Sequence, residues 1–295
     1  MVIVLCLLVL APFLTSFYIF LHIIDLVILI LVASSFNIVY GYLGQLPFGF
    51  SAYSGLAAYI FVIFAVLYKY PMMISALISI GVTVLYVLGT AAVLARLKGI
   101  YFSILSLGLG QIVATYFWSM KEFGGDVGIH FILIHMRHMP YYYLYIVLPT
   151  VLISLYIIYR ILNSPFGLAI QCIQDNEERA RSIGIPTYHY KLMTMIIAGL
   201  FAGIAGILYA GYSGVVHPRF ASWEFLTVPL VGTLLGGPRT FFGPIIGTAI
   251  YGTVYWWVST NYIYHMYITG ALIVVLVAFF RKGLIPFIEE KLRPR

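Results

Sequence analysis

Five of the seven residues from Asp175 to Arg181 are charged (Asp175, Glu177, Glu178, Arg179 and Arg181), in a chain where charged residues make up only 8%. Carboxylates and guanidiniums interleaved at this spacing form ion pairs, within the chain or with a partner's surface. No nucleophile–base pairing and no glycine-flanked serine elbow accompanies them. The chain also lacks the Gly-x-x-x-x-Gly-Lys-Ser/Thr loop that cradles a nucleotide's phosphates. No catalytic residue is assigned, and no cofactor is expected on this chain. Asp25 lies inside an apolar run, with His22 three residues earlier on the same helical face. An intramembrane acid suggests a proton pathway, whereas a site near the end of its span would leave both side chains hydrated, and we expect the latter. His130, His135 and His138 match no metal-ligand spacing and are read as an external loop, so no metal is expected.

The elements that must carry these groups follow from composition. The chain is 63% hydrophobic, far beyond what a soluble domain of its length can cover with polar surface. Apolar runs of about twenty residues, enough for a roughly 30 Å hydrocarbon core, recur throughout. The fold class is therefore all-α, a polytopic transmembrane helical bundle forming a single domain over residues 1–295. Candidate spans are Val2–Phe20, Ile23–Tyr40, Pro47–Tyr68, Met72–Ala95, Tyr101–Trp118, Tyr141–Leu162, Lys191–Tyr212 and Tyr262–Phe280. The first run is read as a retained helix. Cys6 and Cys172 lie in different settings and are not expected to pair. Most of the twenty-five tyrosines are read as marking interfaces and helix packing.

Two shorter pieces, Phe225–Gly237 and Phe241–Val258, flank Gly236-Gly-Pro-Arg239. Thirteen residues of helix reach only about 20 Å, so a broken or re-entrant hairpin is expected there. Gly41-Tyr-Leu-Gly-Gln-Leu-Pro-Phe-Gly49 is a similar interruption. Free backbone groups at these breaks, with Asn37, Gln45, Ser51 and Thr233, are candidates to line a polar route; the alternative is that the glycines only permit close packing.

The net charge of +7 reports orientation rather than nucleic-acid binding. With the stretch around 175–181 inside, Arg96, Lys98, Arg160, Arg179, Arg181, Lys191 and the tail (Arg281, Lys282, Lys291, Arg293, Arg295) also fall inside. Lys69, Lys121, Arg137 and Arg219 fall outside, and Arg239 is ambiguous. This excess puts both termini and the loop 163–190 in the cytoplasm. Phe166, Ile170, Ile173, Ala180 and Ile183 recur at helical spacing opposite Asp175, Glu178, Arg179 and Arg181. Ser164-Pro165 marks a start and Gly184 with Pro186 a stop. One or two short amphipathic helices are expected, suited either to docking in a partner's groove or simply to solvation.

Asn176-Glu-Glu-Arg-Ala-Arg-Ser-Ile-Gly-Ile185, preceded by Ser164-Pro-Phe-Gly-Leu-Ala-Ile170, resembles the cytoplasmic loop of ABC-importer permeases of the branched-chain amino acid family. Asn37–Gln45, Leu97–Tyr101, Gly124–Ile129, Tyr190–Leu192, Ala202–Ala210 and Leu235–Gly247 are also similar, in the expected order. Arg181 stands where that family commonly has a small residue and Leu168 where it commonly has arginine. The resemblance implies a plasma-membrane permease subunit that imports branched-chain or other apolar amino acids, with urea or short amides as a same-family alternative. It further implies a second homologous permease, two cytoplasmic ATPase subunits that use the ATP, an extracytoplasmic solute-binding protein and a lipid surround, with no nucleic acid. Asp175, Asn176, Glu177, Glu178, Ala180, Arg181 and Gly184 would then form the loop that docks on an ATPase. An ion-coupled transporter working through Asp25 is the reading from another class. Uptake measured with Asp25→Asn separates them: loss of uptake that has no dependence on ATP hydrolysis establishes the ion-coupled reading, and retained ATP-dependent uptake excludes it.

Overall fold

A backbone surrounded by hydrocarbon must satisfy its own hydrogen bonds, and helices do so within one segment. The computed structural model describes residues 17–131, 140–279 and 283–286, and these are almost entirely helical. In chain order the helices are α1 (Phe17–Asn37), α2 (Ser51–Val62), α3 (Met72–Leu94), α4 (Gly99–Ser119) and α5 (Pro140–Leu162). There follow α6 (Pro165–Asp175), α7 (Glu177–Ser182), α8 (Thr187–Ser213), α9 (Thr227–Gly236), α10 (Phe242–Asn261) and α11 (His265–Phe279). Five of them, α1 with its π-helical continuation to Tyr42, α3, α4, α5 and α8, are long and apolar enough to cross a membrane. One two-residue ladder, Ile129–His130 (β1) against Val215–Val216 (β2), is antiparallel. Cys6 and most of the expected first span, together with His135, Arg137, His138 and the basic tail (Arg281, Lys282, Lys291, Arg293, Arg295), lie outside the described residues.

The hub is α8, which packs against α1, α2 and α3. Lipid supplies no hydrophobic drive between helices, so association rests on close backbone approach at small residues. The buried face of α8 accordingly includes Ala198, Gly199, Ala202, Gly203, Ala205 and Gly206, alongside Met195, Phe201 and Leu208. At Gly206 the backbone of α8 lies directly on the Ser54 carbonyl of α2, leaving no room for a side chain.

The breaks take definite form. After its π-helical end at Tyr42, the chain is non-helical through residues 43–50 before α2 begins. The two expected short pieces become a half-length and a full-length helix. Ten residues of α9 span about 15 Å, half the hydrocarbon core, while the twenty of α10 span about 30 Å. Gly232, Gly236, Gly243 and Gly247 meet backbone to backbone where α9 and α10 cross.

A methyl group at Gly247 would run into the Gly232 carbonyl and the backbone of Gly236, whereas Gly81 of α3 faces open space. Gly247→Ala is therefore expected to lower stability by about 1–3 kcal/mol through overpacking, and Gly81→Ala to be neutral or slightly stabilising. Thermal unfolding of the detergent-solubilised proteins checks both.

Candidate functional site: a mounted pair of charged helices

Pro165 opens α6 at its first position, and the Ser164 hydroxyl donates to the Ile161 carbonyl at 2.6 Å. The helix stops at Asn176, whose extended backbone breaks the register. The Asn176 side-chain oxygen then accepts the backbone N–H groups of Glu178 and Arg179, each at 3.0 Å, and so caps α7. Such a cap contributes about 1 kcal/mol. Past the end of α7, Gly184 turns the chain at φ +89°, a conformation that favours glycine.

Of the expected apolar face, Ile170, Ile173 and Ala180 are buried, and Phe166 stacks on Tyr190 of α8. Ile183 is instead 73% exposed, because α7 ends at Ser182 and Ile183 stands past its last helical residue. Leu168 is 64% exposed. The outward surface thus holds two large apolar side chains among Asp175, Glu178, Arg179 and Arg181.

Glu177 turns the other way. Lys191 Nζ of α8, only 2% exposed, donates to Glu177 Oε2 at 2.8 Å, and Lys98 Nζ lies 3.2 Å from the same oxygen. Arg181 approaches Oε1 at 3.6 Å. Burial alone raises the carboxyl's pKa, but the hydrogen bonds and charges of Lys191 and Lys98 outweigh it and hold Glu177 below the ordinary carboxylate range. Lys98 immediately precedes α4, so one carboxylate fastens α7 to two membrane-length helices. Asp175 pairs with Arg239 at 2.5 Å, and Arg239 Nε donates to Gln174 at 2.7 Å. Arg239, ambiguous by sequence, therefore sits at the same end as α6 and α7.

Of the seven residues expected in the docking loop, Glu177 is an internal tie and Ala180 is buried, while Asn176, itself exposed, caps α7, and Asp175, Glu178, Arg181 and Gly184 lie at the surface. Of the polar-route candidates, Asn37, Gln45, Ser51 and Thr233 are all buried inside the chain. Asn37 Nδ2 donates to the Thr240 carbonyl at 3.0 Å, and Gln45 Nε2 to the Leu97 carbonyl at 3.3 Å. Ser51 donates to Ala221, and Thr233 to Pro229 and Ala33. Asn37 and Gln45 thereby satisfy carbonyls of segments between helices, the need that excludes irregular backbone from lipid, whereas Thr233 bonds to carbonyls within α9 and α1. His22 and Asp25 are packed rather than hydrated: His22 stacks on Trp256 at 4.5 Å, and Asp25 Oδ1 and both His22 nitrogens are buried without a hydrogen-bond partner. Among the described residues no cluster of three metal-ligating side chains forms.

Sequence reasoning passed over one face of α4. Its outward side carries Gln111, Thr115 and Ser119 beside an open groove of about 840 Å³ that ends at Lys121 and Glu122. The signal available was an amide in the middle of an apolar run.

Spans of this kind, with a charged helix pair fixed at one end of the bundle, define a multi-pass α-helical membrane protein. The chain belongs to the family of permease components of branched-chain amino acid transport systems, which matches residues 18–277. It is 26% identical over 299 residues to the high-affinity branched-chain amino acid transport system permease protein LivM of Salmonella typhimurium, covering 90% of this chain and 69% of the relative. A probable LivM permease of Methanocaldococcus jannaschii is 26% identical over 56% of this chain and 50% of its own length. An autoinducer 2 import system permease protein, LsrC of Photorhabdus laumondii, is 29% identical over 29% of this chain and 27% of its own length. No solved structure matches the chain.

Removing Glu177 strands the buried Lys191 ammonium, so Glu177→Ala is expected to cost about 3 kcal/mol. Lys191→Met, which removes the buried charge and keeps the volume, is expected to cost less than about 1 kcal/mol. The depressed Glu177 pKa stabilises the fold fully above the ordinary glutamate value of 4.5, and that contribution is lost as pH falls through the lower folded value. Thermal unfolding between pH 7 and pH 3 checks the order of the variants and the direction of the pH effect.

Proposed function

We propose that this chain is the membrane permease subunit of an ATP-driven ABC importer, with α6 and α7 as the element that docks on a separate cytoplasmic ATPase. The observation that carries the reading is the mounting of the pair. Its inward residues are spent on fastening it to α4, α8 and the α9–α10 turn, while Leu168, Glu178, Arg179 and Ile183 face outward, as does Arg181, 69% exposed beside Glu177. Two apolar anchors ringed by mixed charge suit a groove on another protein, the anchors supplying affinity and the charges selecting the partner. This chain has no phosphate-cradling loop, so hydrolysis belongs to that partner and the energy arrives through this contact. The excess of basic residues at the α6–α7 end, with Arg239 now among them, supports a cytoplasmic position for it.

The cargo we propose is a branched-chain or other apolar amino acid, moved inward by alternating access between this chain and a second homologous permease, and delivered by an extracytoplasmic binding protein. The relatives' names support that class, and the alternatives within the family are separated by competition: leucine, isoleucine or valine displaces labelled substrate where urea does not.

Leu168→Asp with Ile183→Asp is expected to weaken co-purification with the ATPase at least about tenfold and to abolish uptake, with unfolding temperature unchanged. Arg181→Glu is expected to reduce association in a salt-dependent way. ATPase retention and ATP-dependent uptake equal to wild type in the double variant would defeat the docking assignment.

A further inference from the structure

We propose that the open face of α4 is this chain's wall of the solute path, that Gln111 is its mid-membrane polar contact, and that Lys121 and Glu122 at its end receive a zwitterion. This rests on the permease reading above and names the site at which that reading would act.

One side of α4 is buried in the chain through Phe102, Ser103, Ser106, Gly110, Val113, Ala114 and Phe117. On the other side Gly108, Gln111, Thr115 and Ser119 follow one another at helical spacing, all exposed. Gln111 is the twelfth residue after Gly99, about 18 Å along a helix of about 30 Å, and so lies near the bilayer centre. No hydrogen bond within the described residues satisfies its amide. An amide left in hydrocarbon costs several kcal/mol.

The exposed side of α4 also carries Ile104, Ile112 and Tyr116, so Gln111 is an amide set among apolar groups, whereas the outward faces of α3 and α5 hold no amide. Those of α3 carry Leu77, Leu85 and Leu88, and those of α5 carry Ile146, Ile153 and Ile157, all suited to lipid. Thr253 on the exposed side of α10 satisfies its hydroxyl on the Ala249 carbonyl. Gln111 has no such recourse, so its face meets water or solute.

The groove beside it, about 840 Å³, has room for a small solute with water, and its openness to one side leaves the second wall to the partner permease. At the end of the groove, Lys121 and Glu122 are adjacent and opposite in charge, and neither is engaged in an ion pair among the described residues. A lone cation would select anions and a lone acid cations. The pair fits a solute carrying both a carboxylate and an ammonium group, with Gln111 offering a donor and an acceptor further in.

The test uses the complete transporter in membranes, with Cys6 and Cys172 replaced by serine. Gln111→Cys and Thr115→Cys are treated with a charged, membrane-impermeant thiol reagent, and Leu85→Cys serves as the lipid-facing control. Labelling at both groove positions at least about tenfold faster than at Leu85, slowed by saturating leucine, is expected. Gln111→Leu is expected to lower uptake at least about tenfold with the ATPase still bound, and Glu122→Gln to raise the KM for leucine more than it lowers the maximal rate. Labelling of Gln111→Cys no faster than of Leu85→Cys means that a helix covers the face dry, and overturns the proposal. Failure of the proposed function is separately visible, because the unmodified transporter would then show no ATP-dependent uptake.

Discussion

A buried ammonium group needs a carboxylate. Lys191 is almost wholly enclosed at the start of α8, the helix on which α1, α2 and α3 pack, and Glu177 is the group that neutralises it. The charge of the bundle's central helix is therefore balanced by a residue of the adjoining surface helix. Neither is complete alone: α7 has only six residues and would not persist in isolation, and α8 could not seat Lys191 in the interior without its counterion. The surface pair is held by electrostatics that lie behind it, which leaves its outward side chains uncommitted.

The second governing constraint is backbone satisfaction. At three places between or beside helices, the structure supplies a side chain to take up a carbonyl. Asn37 reaches Thr240, Gln45 reaches Leu97, and Ser51 reaches Ala221, each linking segments distant in sequence. These polar residues are thus mortar between broken segments. On the outer face of α4, Ser119 donates to the Thr115 carbonyl, but the Gln111 amide bonds to no carbonyl among the described residues, and it stands apart for that reason.

Much of this could be read in advance. The membrane class, five of the expected spans and the position of a short charged helix followed from run length and spacing, since those are local properties of the chain. The glycines of Leu235–Gly247 marked the short helix because a half-length run cannot hide. What could not be read was direction. Helical periodicity alone carried Ile183 onto the buried face, since it does not register that α7 ends at Ser182, one residue earlier. Glu177 read as a surface acid because its partners, Lys98 and Lys191, belong to other helices. Asn37 and Gln45 read as a route for the same reason: a polar side chain at a break looks alike whether it faces a carbonyl or a channel.

The pairing of Arg239 with Asp175 has a mechanical meaning. Arg239 stands just beyond the end of α9, a rod about 15 Å long that begins at Thr227, about halfway across the hydrocarbon core. The surface helix α6 is thereby tied not to a whole span but to a strut that stops in the interior, where Thr233 bonds to α1 and Gly232 and Gly236 lie flush on α10. Any displacement of α6 that kept this ion pair would reach the membrane interior through a rod half a span long.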